Sequence, residues 1–116
     1  MNPEDDDLAA LFKALGDPTR LAIFTCLRDC CPGAAFDDDG GIRPADGPTV
    51  GEVCCRITGA ERVTSTLSAH LKELRQAGLV RTERRGKHVV CSLDPDAVAR
   101  LAAFFARAQE KTRGCR

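Results

Sequence analysis

Seven cysteines in 116 residues are the first chemistry this chain offers, and four of them form two adjacent pairs, Cys30-Cys31 and Cys54-Cys55. Thiolates are soft ligands and good nucleophiles, so vicinal pairs point to soft-metal or redox chemistry. The odd count fits a secreted disulfide framework poorly. The number of sulfurs sorts the ions: three in a pyramid suit As(III) or Sb(III), two in line suit Hg(II), and four suit Zn(II) or Cd(II). Neighbouring residues on a regular helix project about 100° apart. If 50–57 is helical, Cys54 and Cys55 therefore do not both reach one ion, whereas a pair in a loop is freer. Oxidation offers the same thiols another fate, a disulfide between one member of each pair.

The remaining candidates are read more plainly. Cys26 and Cys91 lie on apolar segments and are expected to fill the core. Cys115 sits near the chain end and is taken as incidental. Asp37-Asp38-Asp39 lacks the alternating spacing and closing Glu of a calcium loop and reads as a solvated charge run. His70 is expected to make a polar surface contact or a packing contact rather than to ligate a metal, and His88 to be structural.

The elements that must position these groups follow from periodicity. Residues 1–7 read as a polar, frayed start in which Asp5-Asp6-Asp7 are placed to cap a helix, and Leu8, Leu11, Phe12 and Leu15 trace the first helical stripe. Asp17-Pro18 pairs an N-cap with proline at the first helical position and opens a second helix to about Asp29, with Leu21, Phe24 and Leu27 as its inner face. Residues 30–48 hold three prolines, four glycines and four aspartates and are expected to be a long loop. Thr49 can cap a short helix, 50–57, that carries Cys54 and Cys55.

From Thr64 a further helix places Leu67, Leu71 and Leu74 on one face and Ser65, Thr66, Ala69 and Lys72 on the other. Gly78 stops it. Leu79 to Leu93 then reads as a β-hairpin turning at Arg85-Gly86, with Arg84, Arg85 and Lys87 at its tip. Asp94-Pro95 opens a final helix bearing Val98, Leu101, Phe105 and Ala108, with Phe104 beside them. Two adjacent phenylalanines cannot both face one monomer's core, so the first and last helices are expected to form a dimer interface. Residues 111–116 read as a frayed tail.

Net charge is zero, yet it is unevenly spread. Residues 1–48 hold four Lys/Arg against ten Asp/Glu, whereas residues 56–90 hold eight against three, a local excess of five positive charges. A small, hydroxylated helix face followed by a basic hairpin is what a winged-helix DNA reader needs: the helix enters the major groove and the hairpin lays cations along phosphates. No apolar run approaches the roughly 20 residues of a membrane span. The acidic start also lacks a signal peptide's features, so a cytoplasmic protein with no membrane partner is expected.

These residues carry a resemblance. FKALGDPTRLAIFTCL at 12–27 and STLSAHLKELRQAGLVRTERRGKHVVCSL at 65–93 resemble the second-helix signature and the recognition helix and wing of the ArsR/SmtB family of metal-sensing repressors. The resemblance covers most of residues 8–110. It implies a single winged helix-turn-helix domain over 1–116, mainly α with a small β-hairpin. It further implies a homodimer that binds a palindromic double-stranded operator and leaves it when a toxic ion binds.

Carried over by position, Thr64, Ser65, Thr66, Ser68, Ala69 and His70 meet DNA from the helix, and Arg84, Arg85 and Lys87 from the wing. Lys72 joins them from its own place on the outer face. Glu52-Val53-Cys54-Cys55-Arg56-Ile57 is similar to the Glu-Leu-Cys-Val-Cys-Asp-Leu run of the arsenic-sensing branch. Here, however, Cys55 replaces the intervening valine and Arg56 stands at the second cysteine position. The family's zinc site on the last helix is absent, since no histidine lies beyond His88.

The resulting expectation is a repressor, not an enzyme, with no organic cofactor. Its inducer is As(III) or Sb(III), held by Cys30 and Cys31 with one of Cys54 or Cys55. The alternatives are Hg(II) or Cd(II), or thiol oxidation, on the same fold. A small thiol oxidoreductase is a remote third, because no Cys-x-x-Cys lies beside a βαβ pattern.

Overall fold

Among the described residues, four of five helices begin on a side chain that caps them. The computed structural model describes residues 3–29, 33–36, 42–45, 49–59 and 63–114. The helices are α1 (Pro3–Leu15), α2 (Pro18–Asp29), α3 (Val50–Thr58), α4 (Ser65–Gln76) and α5 (Pro95–Gly114). Asp17 Oδ2 accepts from the amides of Thr19 and Arg20 at 2.9 and 3.1 Å, and Asp94 Oδ1 from those of Asp96 and Ala97 at 2.9 and 3.2 Å. Thr49 Oγ1 accepts from Glu52 N at 3.1 Å, and Thr64 Oγ1 from Leu67 N at 3.1 Å. Each cap satisfies helical donors that would otherwise have no partner.

α4 ends as its glycine requires. Gly78 has φ +85°, and the amides of Gly78 and Leu79 donate back to the carbonyls of Arg75 and Leu74, each at 3.0 Å. This double closure places buried Leu79 over buried Leu74 and turns the chain into the first wing strand. The wing pairs β3 (Val80–Arg85) with β4 (His88–Leu93) antiparallel, Val80 opposite Leu93 and Arg85 opposite His88. Gly86, at φ +61°, takes the first position of the two-residue turn, where glycine alone is at ease.

The core is aliphatic. Leu11, Ile23, Val53, Leu67, Leu74 and Leu79 are buried, joined by Cys54 and Cys91. A bridge from Thr49 to Val90 ties the start of α3 to the wing. The architecture is a winged helix-turn-helix: α3 and α4 form the turn motif, α1 and α2 back it, and α5 packs on α1.

Four sequence expectations are corrected. α1 starts at Pro3, ahead of Leu8, because proline suits the first helical position and the acidic run complements the helix dipole. On α2, Ile23 and Leu27 face inward with Phe24 half-buried, while Leu21 is 49% exposed. The segment 30–48 contains a second antiparallel hairpin, β1 (Gly33–Phe36) with β2 (Ile42–Ala45), Gly33 opposite Ala45. At the far end, α5 continues to Gly114, past the expected start of the tail. The Asp37–Asp39 run, Cys115 and Arg116 lie outside the described residues.

Asp94 does two jobs, capping α5 and pairing at 3.0 Å with Arg81 Nε of β3. The Ala97 amide first, then Arg81, holds its carboxyl below the usual carboxylate range. A depressed folded-state pKa stabilises the fold above the ordinary carboxylate value, and that contribution is lost as pH falls through the folded one. Asp94→Asn, which keeps the cap but not the charge, is therefore expected to melt below wild type at neutral pH. The gap should close on acidification, as followed by thermal circular dichroism.

Candidate nucleic-acid interface and thiol site

The outer face of α4 is small, polar and basic. Ser65, Thr66, Ser68, Ala69 and Lys72 are exposed, and the inward stripe of Leu67, Leu71 and Leu74 fixes which way they point. Thr64 is half-buried as the cap. His70 is also half-buried, its ring turned inward to the α1–α2 turn, with Nδ1 3.3 Å from Arg20 Nη1 and 3.8 Å from Asp17 Oδ2. Arg84, Arg85 and Lys87 are exposed on the wing, where Arg84 Nε donates to the Gly86 carbonyl at 3.4 Å and Arg85 Nη2 lies 3.3 Å from Glu83 Oε2.

Between helix and wing runs an open cleft lined by Ser68, Lys72, Arg75, Gln76, Arg81 and Thr82. Arg75 and Arg81 were not singled out from sequence. The signal was present: Ser68, Lys72 and Arg75 follow helical i, i+4 and i+7 spacing on one face. Such a cleft suits a phosphate chain, since guanidinium and ammonium groups neutralise phosphates without reading sequence.

Of the four candidate ligand cysteines, only Cys54 has a described side chain. Cys30 and Cys31 lie outside the described residues, and Cys55 is placed on α3 by its backbone alone. Cys54 is buried in the core cluster. Its sulfur sits 3.5 Å from Thr58 Oγ1, in the last turn of its own helix. Thr64 is a second polar neighbour, through both backbone amide and hydroxyl. Thr58 first, then Thr64, holds the thiol below its ordinary value, against the opposing effect of burial. Thr64 Oγ1 already accepts from Leu67 N, so its own hydrogen is available to sulfur. A thiolate at the N-terminus of α4 also meets the favourable end of the helix dipole.

Cys26 and Cys91 take the packing positions expected of them, Cys91 in the core and Cys26 against it. Sequence alone did not pair them, yet they are electrostatic neighbours. Burial pushes the Cys91 thiol up to about 11, with Arg75 opposing the rise and Cys26 adding to it. Among the described residues no three of His, Cys, Asp or Glu converge into a metal cage.

A helix-turn-helix domain family matches residues 15–83, more than half of the chain. An uncharacterised helix-turn-helix transcriptional regulator of Bacillus subtilis, YbzH, is 37% identical over 82% of this chain and 91% of its own length. A homolog of the cadmium resistance transcriptional regulatory protein CadC from Staphylococcus aureus is 32% identical over 82% of this chain and 64% of its own. The solution structure of the homodimeric winged helix-turn-helix domain of a possible ArsR-family regulator from Mycobacterium bovis superposes with a TM-score of 0.59. That alignment has 26% identity and covers 92% of this chain and 82% of that one. The chain belongs to the ArsR family of helix-turn-helix transcriptional regulators. As an ArsR-family regulator it is a DNA-binding protein and not an enzyme. No described helix is long and apolar enough to cross a membrane.

Proposed function

We propose that this regulator is a cytoplasmic homodimeric repressor. It holds a palindromic operator until a thiophilic ion, As(III) or Sb(III) in the first instance, binds Cys30 and Cys31 together with Cys54 or Cys55. The observation that carries the reading is the Cys54 sulfur, whose neighbour Thr64 is the N-cap of the helix bearing Ser65, Thr66, Ser68, Ala69 and Lys72. Three thiols condense with arsenous acid to give three As–S bonds and three waters. A sulfur so engaged no longer accepts from Thr64.

The hairpin supports the shared site. Gly33 faces Ala45, four residues before the cap of α3, and Cys31 is two residues from Gly33. Two residues span at most about 7 Å. The Cys30-Cys31 pair is thereby tethered to a strand whose partner leads into the cysteine-bearing helix.

The magnitudes agree. An N-cap of this kind is worth about 0.5–2 kcal/mol, and disturbing it in both protomers doubles that. A ten- to hundredfold loss of operator affinity requires only about 1.4–2.8 kcal/mol. Dimerisation through α1 and α5 fits the exposed Phe104 and Phe105, 46% and 58% accessible, which stack edge-to-face with Phe12 at 5.3 and 5.6 Å. The cadmium-resistance relative favours a metal signal over oxidation and keeps Cd(II) among the alternatives with Hg(II).

The test uses a fluorescein-labelled duplex selected from a random pool by the wild-type protein, with anisotropy read during titration with As(III), Sb(III), Cd(II), Hg(II) and peroxide. As(III) or Sb(III) should release DNA at the lowest concentration, and Cys30→Ser/Cys31→Ser should not respond. Release of the double variant at wild-type concentrations sinks the shared site. Release by peroxide alone, reversed by a dithiol, replaces the ion with oxidation.

A further inference from the structure

Arg20 and His70 are 50 positions apart in sequence and meet at 3.3 Å. The contact belongs to a small polar cluster. Arg20 Nε donates to the Ala14 carbonyl at 2.7 Å and Nη2 reaches that of Lys13 at 3.5 Å, so the guanidinium closes the C-terminal turn of α1. Its remaining Nη1 points to His70 Nδ1 on α4. Asp17, which caps α2, brings its Oδ2 to 3.8 Å from the same nitrogen. A guanidinium only donates, so in the contact with Arg20 Nδ1 is the acceptor. The side chains of His70 and Asp17 are only 20% and 32% exposed, which shields the cluster from competing water.

We propose that His70 is a positioning residue that sets the rotation of α4 about its own axis through this Arg20–Asp17 clasp. Leu67, Leu71 and Leu74 anchor the helix through apolar contact, which is non-directional, whereas a hydrogen bond fixes direction. Rotating a helix by 20° moves its outward Cβ atoms by roughly 1 Å. Recognition geometry tolerates only about 0.5 Å and 10–20°. The leucine stripe therefore holds α4 in place, and the clasp decides which edge of Ser65, Ser68 and Ala69 meets the bases. The clasp also joins the reading helix to the C-terminal end of α1. The inference rests on α4 being the DNA-reading helix.

Asparagine places its Oδ1 where Nδ1 stands, whereas glutamine reaches toward the Nε2 position. Binding of the selected duplex is measured for His70→Asn, His70→Gln, His70→Ala, Arg20→Ala and the His70→Ala/Arg20→Ala pair, each checked for folding by circular dichroism. His70→Gln and His70→Ala should weaken binding about tenfold or more, with His70→Asn within about threefold of wild type. The Arg20→Ala pair should be no worse than its weaker-binding single variant. The slope of log K against log salt should stay at the wild-type value, because no phosphate contact is removed. Ser68→Glu serves as the control for the reading helix.

Wild-type affinity in Ser68→Glu overturns α4 as the reader, and the clasp's role with it. Loss in Ser68→Glu with no difference between His70→Asn and His70→Gln overturns the clasp alone. So does a slope that drops by about one in His70→Ala, which marks a direct phosphate contact. Strictly additive effects of the two alanine variants do the same.

Discussion

Cys54→Ser is expected to bind operator within about threefold of wild type and to remain bound at As(III) concentrations about a hundredfold above those that empty the wild-type complex. Serine keeps an acceptor for Thr64, so the cap of α4 survives. It does not ionise near neutral pH, and its hard oxygen is a poor ligand for a soft ion. A variant that reads DNA but ignores the inducer separates the signal from the reader. Cys55→Ser supplies the contrast. Cys55 lies about 100° further round α3. Should Cys54→Ser respond like wild type while Cys55→Ser does not, the third sulfur is Cys55 and the Thr64 route fails.

Leu74→Ala should have the largest effect on stability. Leu74 is fully buried, sits in the last turn of α4 and accepts the Leu79 amide that closes the helix. Cavity-forming Leu→Ala changes cost about 3–5 kcal/mol, a large part of the 5–15 kcal/mol typical of a domain. A fall of about 10–20 °C in melting temperature at fixed protein concentration is expected. Leu21→Ala, on the outer side of α2, should cost no more than about 0.5 kcal/mol. Equal losses in the two variants would mean that the outer face of α2 is covered in solution.

These two leucines also show what was legible in the sequence. On α4, Leu67, Leu71 and Leu74 stand among polar residues, so only one face can be apolar and the burial pattern follows. On α2, Leu21, Ala22, Ile23, Phe24, Cys26 and Leu27 cover too wide an arc for periodicity to choose between Leu21 and Ile23. The neighbouring helices make that choice. The starts of α2, α3 and α5 were readable because Asp17, Thr49 and Asp94 act on amides two or three residues away. The β1–β2 hairpin was not, since Gly33-Ala34-Ala35 has little β-propensity and Pro44 lacks an amide donor.

The exposed face of α4 and the wing tip, proposed to meet DNA, were legible as a pattern of small polar and basic residues, and Arg75 could have been added by helical spacing alone. Contacts across the fold could not be read this way. Nothing local links Arg20 to His70, Cys26 to Cys91, or the sulfur of Cys54 to the cap of the following helix.

The phenylalanine cluster at the α1–α5 face has an optical consequence. The chain has no Trp or Tyr and only five Phe, and three of those five, Phe12, Phe104 and Phe105, stack together there. Near-ultraviolet circular dichroism and aromatic-ring NMR resonances therefore report chiefly on the surface proposed to join subunits. Meanwhile the ultraviolet window normally filled by indole and phenol is left clear for sulfur-to-arsenic charge transfer. Assembly and inducer capture can then be followed in one unlabelled sample, each by its own signal.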